Sequence, residues 1–130
     1  MPANTSPIFT VAPRLSQVQI STANVNTNGS GTLGTGYIAG NYGSTVENIH
    51  IKATGTTTVG MVRLYLNDGS NTRLWHEVPV TAITQASGTQ TFYADFCPPN
   101  TLLALPSGWS IFCSTEKAEA FNVYCYGGDY

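Results

Sequence analysis

Charge is what this chain has least of: Asp, Glu, Lys and Arg make up 9% of its 130 residues, against about 25% in an ordinary soluble domain. The five basic residues, Arg14, Lys52, Arg63, Arg73 and Lys117, are scattered, so no cluster stands ready to neutralise a run of phosphates. With a net charge of −2, the expectation is a protein that makes no direct contact with nucleic acid. Long apolar runs are missing too, since nothing approaches the ~20 residues of a membrane span. The opening MPANTSPIFT has neither the basic nor the apolar stretch of a secretory signal. The chain is therefore expected to be soluble when made and to have no membrane partner. Helical patterning is nearly absent, and the one helix-like stretch, Glu116-Lys117-Ala118-Glu119-Ala120, is too short for more than a turn.

Groups suited to catalysis are equally thin. The seven carboxylates are Glu47, Asp68, Glu77, Asp95, Glu116, Glu119 and Asp129, and no acid–base pair is evident among them. Glu116 and Glu119 flank Lys117 in a solvated connection. Asp68, Ser70 and Asn71 read as a turn, without the downstream bidentate Glu of a calcium loop. His76 and Glu77 are consecutive strand residues and so point to opposite faces. His50, between Ile49 and Ile51, falls on the polar side of its strand. No G-x-S-x-G elbow is present. The glycine-rich Gly29-Ser30-Gly31 and Gly34-Thr35-Gly36 lack the Lys and the following helix of a phosphate loop. The three cysteines, Cys97, Cys113 and Cys125, form no C-x-x-C pair and have no His at ligand spacing. They are expected to be small buried residues of a reduced protein, a Cys113–Cys125 bond being left open. The expectation is a non-enzyme with no cofactor and no metal.

In place of charge stand Thr, Ser, Asn and Gly, threaded through short alternating runs of Val, Ile, Leu, Tyr and Phe. Strands are expected over 15–22, 32–39, 47–53, 60–67, 73–80, 91–97, 102–105, 109–115 and 121–126. Turn formers separate them, among them Asp68-Gly69, Ser87-Gly88, Pro98-Pro99-Asn100 and Pro106-Ser107-Gly108. Eight to nine short strands at this spacing predict an all-β fold, a two-sheet antiparallel sandwich, with a jelly roll favoured over an immunoglobulin-like arrangement. Residues 1–14, punctuated by Pro2, Pro7 and Pro13, read as an extended arm, leaving 15–130 as a single domain.

One hairpin can be set in register. A three-residue loop at Gly69–Asn71, with Asn71 left-handed, places Leu66 opposite Leu74, Leu64 opposite His76 and Val62 opposite Val78 on an apolar face. On the other face Tyr65 meets Trp75 and Arg63 meets Glu77. Tyr and Trp pair a large contact area with a polar handle, which suits interfaces and sugar platforms alike. Tyr65 and Trp75 are therefore expected to form an exposed contact patch, and Ile8, Phe9 and Val11 of the arm to reach a neighbour.

Two stretches carry a resemblance. One runs from Lys52-Ala53-Thr54-Gly55 through Gly60-Met61-Val62-Arg63-Leu64-Tyr65-Leu66 to Ile83-Thr84. The other runs from Leu105-Pro106-Ser107-Gly108-Trp109 through Ser114-Thr115-Glu116-Lys117-Ala118-Glu119-Ala120-Phe121 to Gly127-Gly128-Asp129-Tyr130. Together they resemble a group of small virion structural proteins of tailed bacteriophages and prophages, which implies a virion component made in the bacterial cytoplasm. A hydroxyl- and amide-covered exterior is cheap to desolvate and suits packing against a protein lattice. The expected function is thus a capsid decoration (cement) protein on the outside of the phage head. Its expected partners are the major capsid protein and further copies of itself, a trimer being favoured over a dimer. The alternative is a head- or tail-fibre module binding host glycans through exposed aromatics. The major shell protein itself and a glycan hydrolase are weaker rivals, the latter for want of a carboxylate pair.

Overall fold

A computed structural model describes residues 10–97 and 103–130. The arm residues Ile8 and Phe9, the Pro98-Pro99-Asn100 turn and Leu102 lie outside them. Nine strands follow in order: β1 (Ala12–Ile20), β2 (Gly34–Ile38), β3 (Ser44–Ala53), β4 (Gly60–Asn67), β5 (Thr72–Val80), β6 (Tyr93–Phe96), β7 (Leu103–Leu105), β8 (Ser110–Thr115) and β9 (Phe121–Asp129). They form two antiparallel sheets packed as a sandwich. The larger has the order β1-β9-β3-β6, with β7 also on β3, and the smaller has the order β2-β8-β4-β5. Strands β6 and β7 lie end to end along one edge of β3, pairing with Ile49–Lys52 and Ser44–Val46 respectively.

Alternation places the core. Val46, Ile49, Ile51, Val62, Leu64, Ile111, Cys113, Val123 and Cys125 are fully buried between the sheets. A bulge in β3 between Val46 and Asn48 lets Val46 and Ile49 both face inward. The strand therefore begins at Ser44, earlier than the period-2 pattern from Glu47 suggests. Cys113 and Cys125 sit in opposite sheets, on β8 and β9, and all three thiols are free. The Glu116–Ala120 connection contains no helical turn.

Two expectations are corrected at the edges. Strand β1 starts at Ala12, so Pro13 and Arg14 belong to the sheet and not to an arm ending at residue 14. Pro13 is accommodated because β1 is an edge strand. In the β4–β5 hairpin, Val62 opposite Val78, Arg63 opposite Glu77 and Leu64 opposite His76 stand as expected. Beyond Leu64 a bulge shifts the pairing, so that Tyr65 faces Leu74 and Leu66 faces Arg73. The cause is the turn. The Asp68 carboxylate accepts hydrogen bonds from the backbone N–H groups of Ser70 and Asn71 at 2.9 and 2.7 Å. That caps a four-residue turn, Asp68–Asn71, in which Gly69 takes the positive φ (100°).

The segment after β1 folds over the outer side of the smaller sheet. Ala23 bridges Thr115, and the Asn24 amide N–H bonds the Thr115 carbonyl at 2.8 Å. The Asn24 side chain donates to the carbonyls of Ser30 and Thr32, which holds the loop in shape. The larger sheet carries no such cover among the described residues, for Leu15, Tyr93 and Tyr126 on its outer side are 64, 53 and 39% exposed.

Candidate functional site

The open face of the larger sheet is the candidate site, and strand register assembles it. One row runs Leu15, Tyr126, Asn48 across β1, β9 and β3. The next runs Gln17, Tyr124, His50, Asp95 and ends on β6. The third runs Gln19, Asn122, Lys52, Tyr93. Each strand sends alternate residues outward, so a run such as Val123-Tyr124-Cys125-Tyr126 supplies two core residues and two tyrosines of the open face.

The centre of the face is a carboxylate–imidazole pair. Asp95 Oδ1 lies 2.7 Å from His50 Nδ1, and the Asn48 side-chain amide donates to the same oxygen at 3.4 Å. The hydrogen bond from His50 holds the Asp95 carboxyl below the usual carboxylate range, with Asn48 adding to the effect against some burial. The His50 ring stands between Tyr93 and Tyr124, 6.3 and 6.2 Å away centroid to centroid. Lys52 Nζ donates to the Thr91 carbonyl at 3.0 Å and lies 5.5 Å from the Tyr93 ring centre. Among the described residues no hydroxyl or thiol hydrogen-bonds to His50, whose imidazole the carboxylate orients. No group of three metal-ligating side chains occurs among the described residues.

Two depressions interrupt the face. A hollow of about 330 Å³ lies along β1 and β9, lined by Gln17, Val18, Gln19, Asn122 and Tyr124. At the Pro13 end a wider cleft of about 480 Å³ is lined by Pro13, Arg14, Leu15, Glu47, Tyr126 and Gly127. Arg14 there pairs with Asp129 at 3.3 Å and stacks over Tyr37, 4.5 Å from its ring centre.

The residues singled out from sequence are dispersed. Ile8 and Phe9 lie outside the described residues. Val11 is 82% exposed, its N–H bonded to the Asp129 carbonyl at 2.8 Å. Tyr65 is not exposed at all. It points away from the core as expected, but the loop after β1 covers it and its hydroxyl donates to the Asn26 carbonyl at 2.7 Å. Trp75 is half-buried, its ring edge against Phe96 at 5.2 Å beside the stacked His76. The β4–β5 bulge turned it inward, so Tyr65 and Trp75 form no shared patch. Trp75 instead borders a small cleft of about 180 Å³ with Trp109, Leu66 and Leu74.

The expected Arg63–Glu77 pair forms, at 3.5 Å. Sequence reasoning missed the other acidic pairings, Asp95 with His50, Asp129 with Arg14, and Glu116 with Arg63 at 3.0 Å. Alternation put His50 on a polar face, but no local signal says that β6 will lie beside β3. No protein-family model matches the chain, and no curated protein matches it in sequence.

Proposed function

We propose that this protein is a bacteriophage virion structural protein, a capsid decoration protein that binds the outer surface of the head and stabilises the shell. The observation that carries this reading is an exposed apolar corner where β1 begins. Pro13, Leu15 and Tyr126 line the 480 Å³ cleft beside Arg14 and Glu47, and the exposed Val11 just precedes the strand. Burying these residues against a lattice gains about 25 cal/mol per Å² of apolar area, and of the two charged residues at the cleft Arg14 is already paired with Asp129. A protein that binds only the assembled shell stabilises it by mass action, and lattice symmetry multiplies a modest contact. The partners in this reading are the major capsid protein and, through repetition, other copies of the chain in a trimer.

Strand order supports a jelly-roll reading of the sandwich. With β6 and β7 taken as one interrupted strand, each sheet has four strands, in the orders β1-β9-β3-β6/β7 and β2-β8-β4-β5. Consecutive strands mostly alternate between sheets, as two Greek keys require. The fold supports a virion role only by analogy, and the phage assignment comes from the sequence resemblance. The test is cosedimentation of the purified protein with assembled head shells, with electron microscopy of virions to count and locate it. Leu15→Asp and a deletion of residues 2–11 should each weaken head binding at least about tenfold, the range of an interface anchor, while the domain stays folded. Unchanged binding by both variants, or absence of the chain from particles, would overturn the reading.

A further inference from the structure

We propose that the hollow along β1 and β9 is a binding site for a neutral saccharide. Register sets Gln17 beside Tyr124 and Gln19 beside Asn122, so three carboxamides and one phenol ring, with Val18 between the glutamines, line a space of about 330 Å³. That is the lower end of the range of about 300–1,000 Å³ usual for small-ligand sites. Gln19 Nε2 donates to Asn122 Oδ1 at 2.9 Å. The bond orients both amides and leaves Gln19 Oε1 as an acceptor and Asn122 Nδ2 as a donor, side by side.

The lining selects the ligand class. No ionisable cation or carboxylate borders the hollow, so a phosphate, nucleotide or carboxylate gains no charge partner there. Lys52, in register with Asn122, and Asp95, beyond His50, stay outside the lining, held by the Thr91 carbonyl and by His50. A wholly apolar ligand would leave the amides unpaired, which costs free energy. A polyol meets both conditions. Adjacent sugar hydroxyls each donate and accept, matching the planar amides, while the C–H face of the ring packs on Tyr124. Tyr126 lies next along β9, with its exposed ring available to a second sugar residue. The Trp75–Trp109 cleft is smaller, at about 180 Å³. This proposal does not rest on the virion reading, since the hollow is separate from the Leu15 corner except at Tyr126.

The test is a titration of the ¹⁵N-labelled full chain with maltose, cellobiose, lactose and N,N′-diacetylchitobiose, each to about 20 mM, enough for an open site of millimolar affinity. At least one should shift the backbone signals of residues 17–19 and 122–124 and the side-chain amides of Gln17, Gln19 and Asn122. Gln17→Ala and Asn122→Ala, at positions that are exposed or half-exposed, should weaken that binding about tenfold. Tyr42→Ala, an exposed tyrosine elsewhere, should leave it unchanged. The proposal fails if no sugar moves these signals, if the shifts map to the Trp75–Trp109 cleft, or if both amide variants bind as the parent does.

Discussion

Tyr65 shows what a single side chain owes to a distant segment. Its outward direction follows from alternation along β4, yet its burial follows from a loop some forty positions earlier. The Asn26 carbonyl that accepts its hydroxyl bond loses that partner in Tyr65→Phe. Asn26 is itself exposed, so the carbonyl can turn to water, and urea unfolding should show the loss of one hydrogen bond's net worth, about 0.5–1.5 kcal/mol. The same substitution at Tyr42, 63% exposed, should change nothing measurable. The thiols give a second check at this scale. Burial pushes the Cys125 thiol up to about 12 and that of Cys113 higher still, and neither is reachable by solvent, whereas Cys97 is exposed. A thiol reagent should therefore titrate one cysteine in the native protein and all three in urea. Two or more reacting under native conditions would show that the core opens.

Strands were legible wherever a residue's neighbours along the chain decide its face, and illegible wherever a partner strand does. All nine strands lie within a few residues of where turn formers and alternation put them, because those signals are local. Hairpin register held from Gly60 to Leu64 and failed at the bulge. Loop length alone could not tell a three-residue turn from one capped by Asp68. The pairing of β3 with β6 and β9, which builds the candidate face, joins segments more than 40 residues apart and has no local signature. Gly127 marks the tightest of these contacts. A Cβ there would stand 2.0 Å from the Thr45 carbonyl oxygen, at the level where β3 bulges. Gly127→Ala must push backbone against backbone, and a loss of about 3 kcal/mol or more is expected. Gly108→Ala serves as the comparison: it has open space around it but a φ of +88°, so only local strain of about 1 kcal/mol is expected. Equal losses in denaturant midpoint for the two variants would mean that the β3–β9 approach is looser than this geometry.

At the scale of the whole molecule, scarcity of charge makes each remaining ion pair a fastener with a distinct position. Composition announced an exterior poor in charge, while the row of amides and tyrosines on one sheet had to await the pairing of β9 with β1 and β3. Asp129 is the fastener that joins the two sheets. It lies on β9 and accepts hydrogen bonds from Ser44 on β3, from Arg14 on β1 and, across the sandwich, from the Tyr37 hydroxyl on β2 at 3.3 Å. The Ser44 hydrogen bond, with Arg14 and Tyr37 behind it, holds the Asp129 carboxyl below its ordinary value of 3.8. A group whose folded value is depressed favours the folded state fully above the unfolded value and ceases to do so as pH falls through the folded one. Asp129→Asn, which keeps the shape and discards the charge, should therefore be less stable than the parent at neutral pH. The gap in urea midpoint should stay constant down to about pH 5 and close below about pH 4, as the parent's own carboxyl takes up its proton. Because Asp95 is shifted in the same direction by His50, the variant should retain part of the acid sensitivity, and adding Asp95→Asn should remove a further part, leaving that of Asp68, whose carboxyl the Asn71 and Ser70 N–H groups also hold low. A gap that persisted unchanged to pH 2 would place the contribution of Asp129 in its shape and not in its charge, and would detach the acid limb from this bridge between the sheets.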